Sequence, residues 1–170
     1  MKLTTKVATA ALMAALIASA QSPRAQASAM VGGKAVSVKY SAPSVRGRQI
    51  FGDGGLLSMD PTYPAWRAGA NSATAFHTDT DLMVGTLAVP KGDYTLYVWV
   101  KDPNAWELII SKETGQWGLT YNAKMDLGRT KMTMSKPPAL VEQLKYTLTP
   151  TKLELAWEHH VASVPIAAKP

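Results

Sequence analysis

The segment Trp66-Arg67-Ala68-Gly69-Ala70-Asn71 gathers side chains suited to ligand recognition. A planar guanidinium beside an aromatic ring suits a carboxylate, a phosphate or a sugar. Gly69 permits close backbone approach, and Asn71 offers both a donor and an acceptor. Arg46 and Arg48 flank Gly47 in a glycine- and proline-rich stretch, and Arg48 could join Arg67 in an anion site. Trp117 and Arg129 are candidate walls, and Asp126 is a candidate site acid. The same residues have a structural alternative, because buried arginines are usually paired. In that reading Arg67 meets an internal carboxylate, Arg48 bridges to Asp126 or Glu142, and Asn71 ties down loop backbone.

Other chemistries find less support. Glycoside hydrolysis needs two acids held about 5–9 Å apart, and the spacing of Asp53, Asp60, Asp126 and Glu142 selects no pair. His77 lies near Asp79 and Asp81, while His159 and His160 are adjacent and would face opposite sides of a strand. Metal-ligand spacing is absent, so no metal site and no cofactor are expected. Gly52-Asp53-Gly54-Gly55 reads as a turn, and no Gly-x-Ser-x-Gly elbow exists. Met132 and Met134 share a strand face and read as core rather than copper ligands. Trp99 and Trp157 sit in apolar strands, whereas Trp106 and Trp117 lie beside turns and are the expected exposed pair.

The elements that must position these residues are strands. Residues 35–40 alternate, with Val36, Val38 and Tyr40 on one face. Residues 41–63 are irregular and rich in Gly and Pro, and a long irregular stretch in a compact domain is often functional. Further strands are expected at 73–77, 82–89 (broken by Gly85), 94–100, 106–110, 127–134, 143–148 and 152–158. The 94–100 strand is apolar on both faces and should be central. A last strand at 161–166 is expected on an edge, because it contains Pro165. No long amphipathic helix is present beyond the leader. Short strands at this spacing predict an all-β fold, a single β-sandwich or flattened barrel of mostly antiparallel strands.

Residues 1–27 read as a secretory signal peptide, with Lys2 and Lys6 before an apolar run too short to span a bilayer. Two small-x-small cut sites are present, Ala18-Ser19-Ala20 and Ala25-Gln26-Ala27, and the second is the expected one because Pro23 and Arg24 already break the apolar run. A flexible lead-in over 28–34 and one domain over 35–170 follow. The protein is thus expected to be exported, periplasmic or extracellular, with no stable membrane span after cleavage. The 170-residue chain has no cysteine, which excludes disulfides, a thiolate metal site, a cysteine nucleophile and a lipidated leader. Loss of Lys2, Lys6 and Arg24 with the leader lowers the formal charge from +6 to about +3. The basic residues are dispersed, so nucleic acid is not an expected partner. Composition leaves the oligomeric state open.

Several runs carry a resemblance. They are residues 40–52, beginning Tyr40-Ser41-Ala42-Pro43; Trp66 to Thr74; Gly92-Asp93-Tyr94-Thr95-Leu96-Tyr97; Trp117-Gly118; Asp126-Leu127-Gly128-Arg129; and Leu155-Ala156-Trp157-Glu158. Together they resemble a bacterial exported family catalogued as domain of unknown function 2911, over about 36–166. The resemblance implies a secreted or periplasmic β-domain and no established reaction. Residues 56–63 depart from it, being apolar and Pro-containing where an acidic or glycine-rich turn is expected. The leading reading is a non-catalytic binding or envelope-associated module for an anionic or glycan ligand. Its site would lie under the long loop, from Arg48, Trp66, Arg67 and Asn71. A hydrolase of envelope or extracellular material and a pocketless structural or interaction protein are the alternatives.

Overall fold

The computed structural model describes residues 21–170. In chain order the strands are β1 (Arg24–Val31), β2 (Lys34–Ser41), β3 (Ala65–Trp66), β4 (Thr74–Thr78), β5 (Leu82–Val84), β6 (Leu87–Val89) and β7 (Gly92–Trp99). After them come β8 (Glu107–Ser111), β9 (Asp126–Lys131), β10 (Thr133–Ser135), β11 (Val141–Leu148), β12 (Lys152–Glu158) and β13 (His160–Ala168). Two short 3-10 turns cover Leu56–Met59 and Ala123–Met125.

The strands form two antiparallel sheets, and the fold is an all-β sandwich. The first sheet runs β1-β2-β4-β7-β8-β9, with β3 beside the far end of β7. The second runs β11-β12-β13-β5-β6, with β10 also paired to β13. Alternation explains the core between them. Val36, Val38 and Tyr40 of β2 and Leu96 and Val98 of β7 are buried, facing Leu144, Tyr146, Leu153, Leu155, Trp157 and Val164.

Most expected strands are found, with four differences. Residues 82–89 are two strands, turned at Gly85 (φ +57), where a Cβ would strike Thr130. Residues 127–134 are also two strands. The chain leaves the first sheet at Met132, whose N–H donates to the Trp106 carbonyl, and joins the second as β10. The last strand is internal rather than on an edge, because β12 flanks it on one side and β10 and β5 on the other. Pro165 is tolerated there because it falls in the gap between β10, which pairs at 161–163, and β5, which pairs at 166–168. Its carbonyl still accepts from Gly85 N–H.

The fourth difference is at the start. The expected leader falls largely on residues 1–20, outside the described residues. Residues 24–31, divided in the sequence reading between the leader and a flexible lead-in, are instead β1. It pairs with β2 residue by residue from Arg24↔Ser41 to Val31↔Lys34. Its inward Ala25, Ala27 and Ala29 pack on the core, and the Pro23 carbonyl accepts from Ala42 N–H at 2.8 Å. Only Gly32 and Gly33, both at positive φ, make the turn to β2.

The long irregular stretch is an ordered plug. Its first part runs beside β11, through a Ser44↔Gln143 bridge and the Val45 N–H to Glu142 carbonyl bond. Its middle inserts Ile50, Phe51 and Leu57 into one end of the sandwich. There Phe51 meets Trp66, Trp106 and Trp157, and Trp66 stacks on Trp157 with centroids 5.6 Å apart. The buried Glu158 carboxylate holds this insertion by accepting from Ile50 N–H at 2.6 Å. Of residues 56–63, Leu57 is buried in this plug, Leu56 and Tyr63 pack against the core, and Met59 stays exposed.

Candidate functional site

Arg67 leaves the short β3 and crosses to the loop before it. Its Nη1 donates to Asp60 Oδ2 at 2.7 Å, and the two side chains are only 18% and 10% exposed. Asp60 is itself fixed, since its Oδ1 accepts from both the backbone and the hydroxyl of Thr62. Gly118 lies directly on the Arg67 stem, where a Cβ would overlap Arg67 Cδ. The Arg67 Nε beneath it is buried without a partner. The internal carboxylate is therefore Asp60, and neither Asp126 nor Glu142 takes that part.

The rest of the segment is a corner that ties the sheets together. Trp66 is buried, and its indole N–H donates to the Gly69 carbonyl at 3.2 Å. Ala68 (φ +54) turns its carbonyl to accept from Thr74 Oγ1 and from the Tyr146 hydroxyl, both at 2.9 Å. Tyr146 belongs to the second sheet, and its N–H donates to the Tyr40 hydroxyl in the first. Burial drives the Tyr146 phenol far above its ordinary pKa, so it stays a donor. Gly69 is required because a Cβ would lie 2.8 Å from Thr74 Oγ1 and 3.1 Å from the Ser41 carbonyl. Asn71 takes the left-handed conformation (φ +60), and its carbonyl accepts from Gly118 N–H.

Beside this corner opens a cleft of about 390 Å³. Its lining includes Arg46, Arg48, Met59, Asp60, Trp66 and Arg67. Arg48 is exposed and bridges to no acid. Its Nη2 donates to the Ser44 carbonyl at 2.7 Å and its Nε to the Val45 carbonyl at 3.0 Å. Glu142 instead accepts from the Arg46 backbone N–H. Among the described residues neither Arg46 nor Arg48 has an ion-pair partner. The cleft thus carries three guanidinium groups against the single carboxylate of Asp60.

The structure brings Arg48, Trp66 and Arg67 to one cleft and leaves the other candidates outside it. Asn71 serves through its backbone. Trp117, 56% exposed, stands on the loop over Arg67. Asp126 and Arg129 lie on the outer face of the first sheet. There Arg129 sits 4.7 Å over the Trp99 ring and donates to the Tyr121 hydroxyl, which donates to Asp126 at 2.6 Å. Burial first, and then the bond to Asp126, pushes the Tyr121 phenol up to about 12. Trp106, expected to be exposed with Trp117, is buried in the aromatic plug, and Trp99 is only partly buried on the outer face.

The histidines do not meet. His77 lies between Asp93 (2.7 Å from Nδ1) and Asp79 (2.9 Å from Nε2). These hydrogen bonds, Asp93 first, raise its pKa. His160 stacks on Trp106 in the plug, and burial lowers its pKa. No group of three metal-ligating side chains occurs among the described residues. The sequence offered no signal for Asp60 as the partner of Arg67, seven residues away across Pro61 and Pro64. Gly118 was visible only as half of a Trp-Gly pair.

No curated protein and no solved structure matches the chain. A family match covers residues 22–166, and so takes in β1 and the corner at Trp66-Arg67. The chain belongs to the family described as "Protein of unknown function (DUF2911)".

Proposed function

We propose that this domain is a non-catalytic binding module for a small anionic ligand, held in the cleft beside the Arg67–Asp60 pair. The observation that carries the reading is the charge of that cleft, three guanidinium groups to one carboxylate. Arg67 is committed to Asp60 and acts as a positioning residue. Arg46 and Arg48 keep donors free for carboxylate or phosphate oxygens. Leu56, Leu57 and Met59 line an apolar side, which suits an anion with a hydrophobic portion. The cleft holds one acid, and that acid is engaged on both oxygens. Two-carboxylate hydrolysis therefore lacks its second group there.

The leader-like sequence supports an exported location. No helix among the described residues is long and apolar enough to cross a membrane.

Isothermal titration of the domain with inorganic phosphate and with citrate tests the proposal. The expected result is saturable binding that Arg48→Ala weakens about tenfold, the value of one lost charge-assisted bond. Arg46→Ala should weaken it likewise, with the melting temperature unchanged. Absence of saturable binding, or binding indifferent to both substitutions, overturns the proposal.

A further inference from the structure

On the opposite side of the Ser72 turn, the outer face of the first sheet carries a groove that the anion cleft does not use. Two adjoining depressions, of about 460 and 660 Å³, share Lys39, Ser72, Ala73 and Ala75. The first extends to Arg24 and Gln26 on β1, and the second to His77, Asp93 and Gln116. Crossing from β1 to β7 covers three interstrand spacings, about 14 Å or roughly the length of a trisaccharide.

One wall is a hydrogen-bonded loop. Residues 112–118 are tied to the sheet face by Ala73 N–H to the Gln116 carbonyl, Gly118 N–H to the Asn71 carbonyl, and Thr95 Oγ1 to the Glu113 carbonyl. Gln116 Nε2 adds a bond to the Tyr97 hydroxyl at 3.0 Å. Trp117 is paired with Ser72 across a single antiparallel bridge. Opposite residues of such a pair project to the same side, which sets the exposed indole at the groove's rim. The β1 end is cationic and uncompensated: Arg24 and Lys39 are exposed, and neither has an ion-pair partner among the described residues.

We propose that this groove binds an acidic oligosaccharide of about three rings, the span set by the strand spacing. A uronate carboxylate meets Arg24 and Lys39. Ring hydroxyls meet the amides of Gln26 and Gln116 and the carboxylate of Asp93. One ring face packs on Trp117, as apolar sugar faces do on exposed aromatics. The low floor at Ala73 and Ala75 leaves room for the chain.

Titration with trigalacturonate, with maltotriose as the uncharged control, tests the assignment. Trigalacturonate should bind saturably and maltotriose at least tenfold more weakly. Lys39→Ala and Trp117→Ala should each weaken trigalacturonate several-fold. Ala75→Trp, on the outer face, should abolish binding while the near-ultraviolet circular dichroism stays native. Arg48→Ala, which belongs to the anion cleft, should leave unchanged the part of trigalacturonate binding that Ala75→Trp removes, so the two sites fail or stand separately. Equal affinity for both trisaccharides, no binding by the folded protein, or binding that survives Ala75→Trp overturns the proposal.

Discussion

Removing the Arg67 guanidinium strands the Asp60 carboxylate in a site where only a tenth of it meets solvent. Breaking one side of such a pair costs roughly 3 kcal/mol. Arg67→Ala should therefore lower the urea midpoint with little change in m-value. Gly118→Ala should also destabilise, by about 1–3 kcal/mol, since its methyl collides with the Arg67 stem. The double variant should cost less than the sum, because the collision disappears with the stem; additive costs contradict this packing. Two histidines should act in opposite senses. The raised pKa of His77 means its contribution is complete below the unfolded value of 6.5 and is lost as pH rises through the folded value. The stability gap between wild type and His77→Ala should shrink toward alkaline pH, and should stay under about 1 kcal/mol at this exposed site. The lowered pKa of His160 makes its contribution present above 6.5 and lost as pH falls through the folded value. His160→Gln should flatten the acid limb of the stability profile, and an unchanged limb contradicts the assignment. Residue types gave both readings of Arg67, but the choice between them needed Asp60. That pairing spans a turn and leaves no periodic trace.

At the scale of elements, β1 constrains the proposed cleavage of the leader-like segment. A cut after Ala27 would remove the pairing of residues 24–27 with 38–41 and the bond from Ala42 to the Pro23 carbonyl. Losing about four backbone hydrogen bonds costs roughly 2–5 kcal/mol. A domain starting at Ser28 should melt well below one starting at Gln21. The intact mass of exported protein should correspond to cleavage after Ala20, the earlier small-x-small site; a mass beginning at Ser28 contradicts this. Alternation along β2, β7, β11 and β12 was legible because each carries one inward apolar face. β1 was not, since its inward residues are alanines and its sequence runs on from a leader-like run. The internal place of β13 was hidden because Pro165 normally marks an edge. Here a gap between two partner strands gives the missing N–H nowhere it is needed.

At the scale of the molecule, the long irregular stretch closes one end of the sandwich with Phe51, and the Trp66–Asn71 corner joins the two sheets through Tyr146 and Tyr40. The Trp66–Asn71 segment is thus mainly a folding device. The two proposed binding surfaces lie on either side of it, the arginine cleft and the outer groove. The fold class was readable because strand periodicity is local. The site was only half readable, because a cleft is made by residues from distant segments. Arg48 and Arg67 line one cleft because the plug folds back beside the Trp66 corner, and Asp126 and Arg129 go to another face. Backbone amide chemical shifts of the labelled domain, followed during titration with inorganic phosphate, test the anion cleft most directly. Saturable shifts confined to residues 42, 44–48, 56–60 and 67–70 are expected. Shifts that do not saturate, or that fall elsewhere on the sandwich, would contradict it.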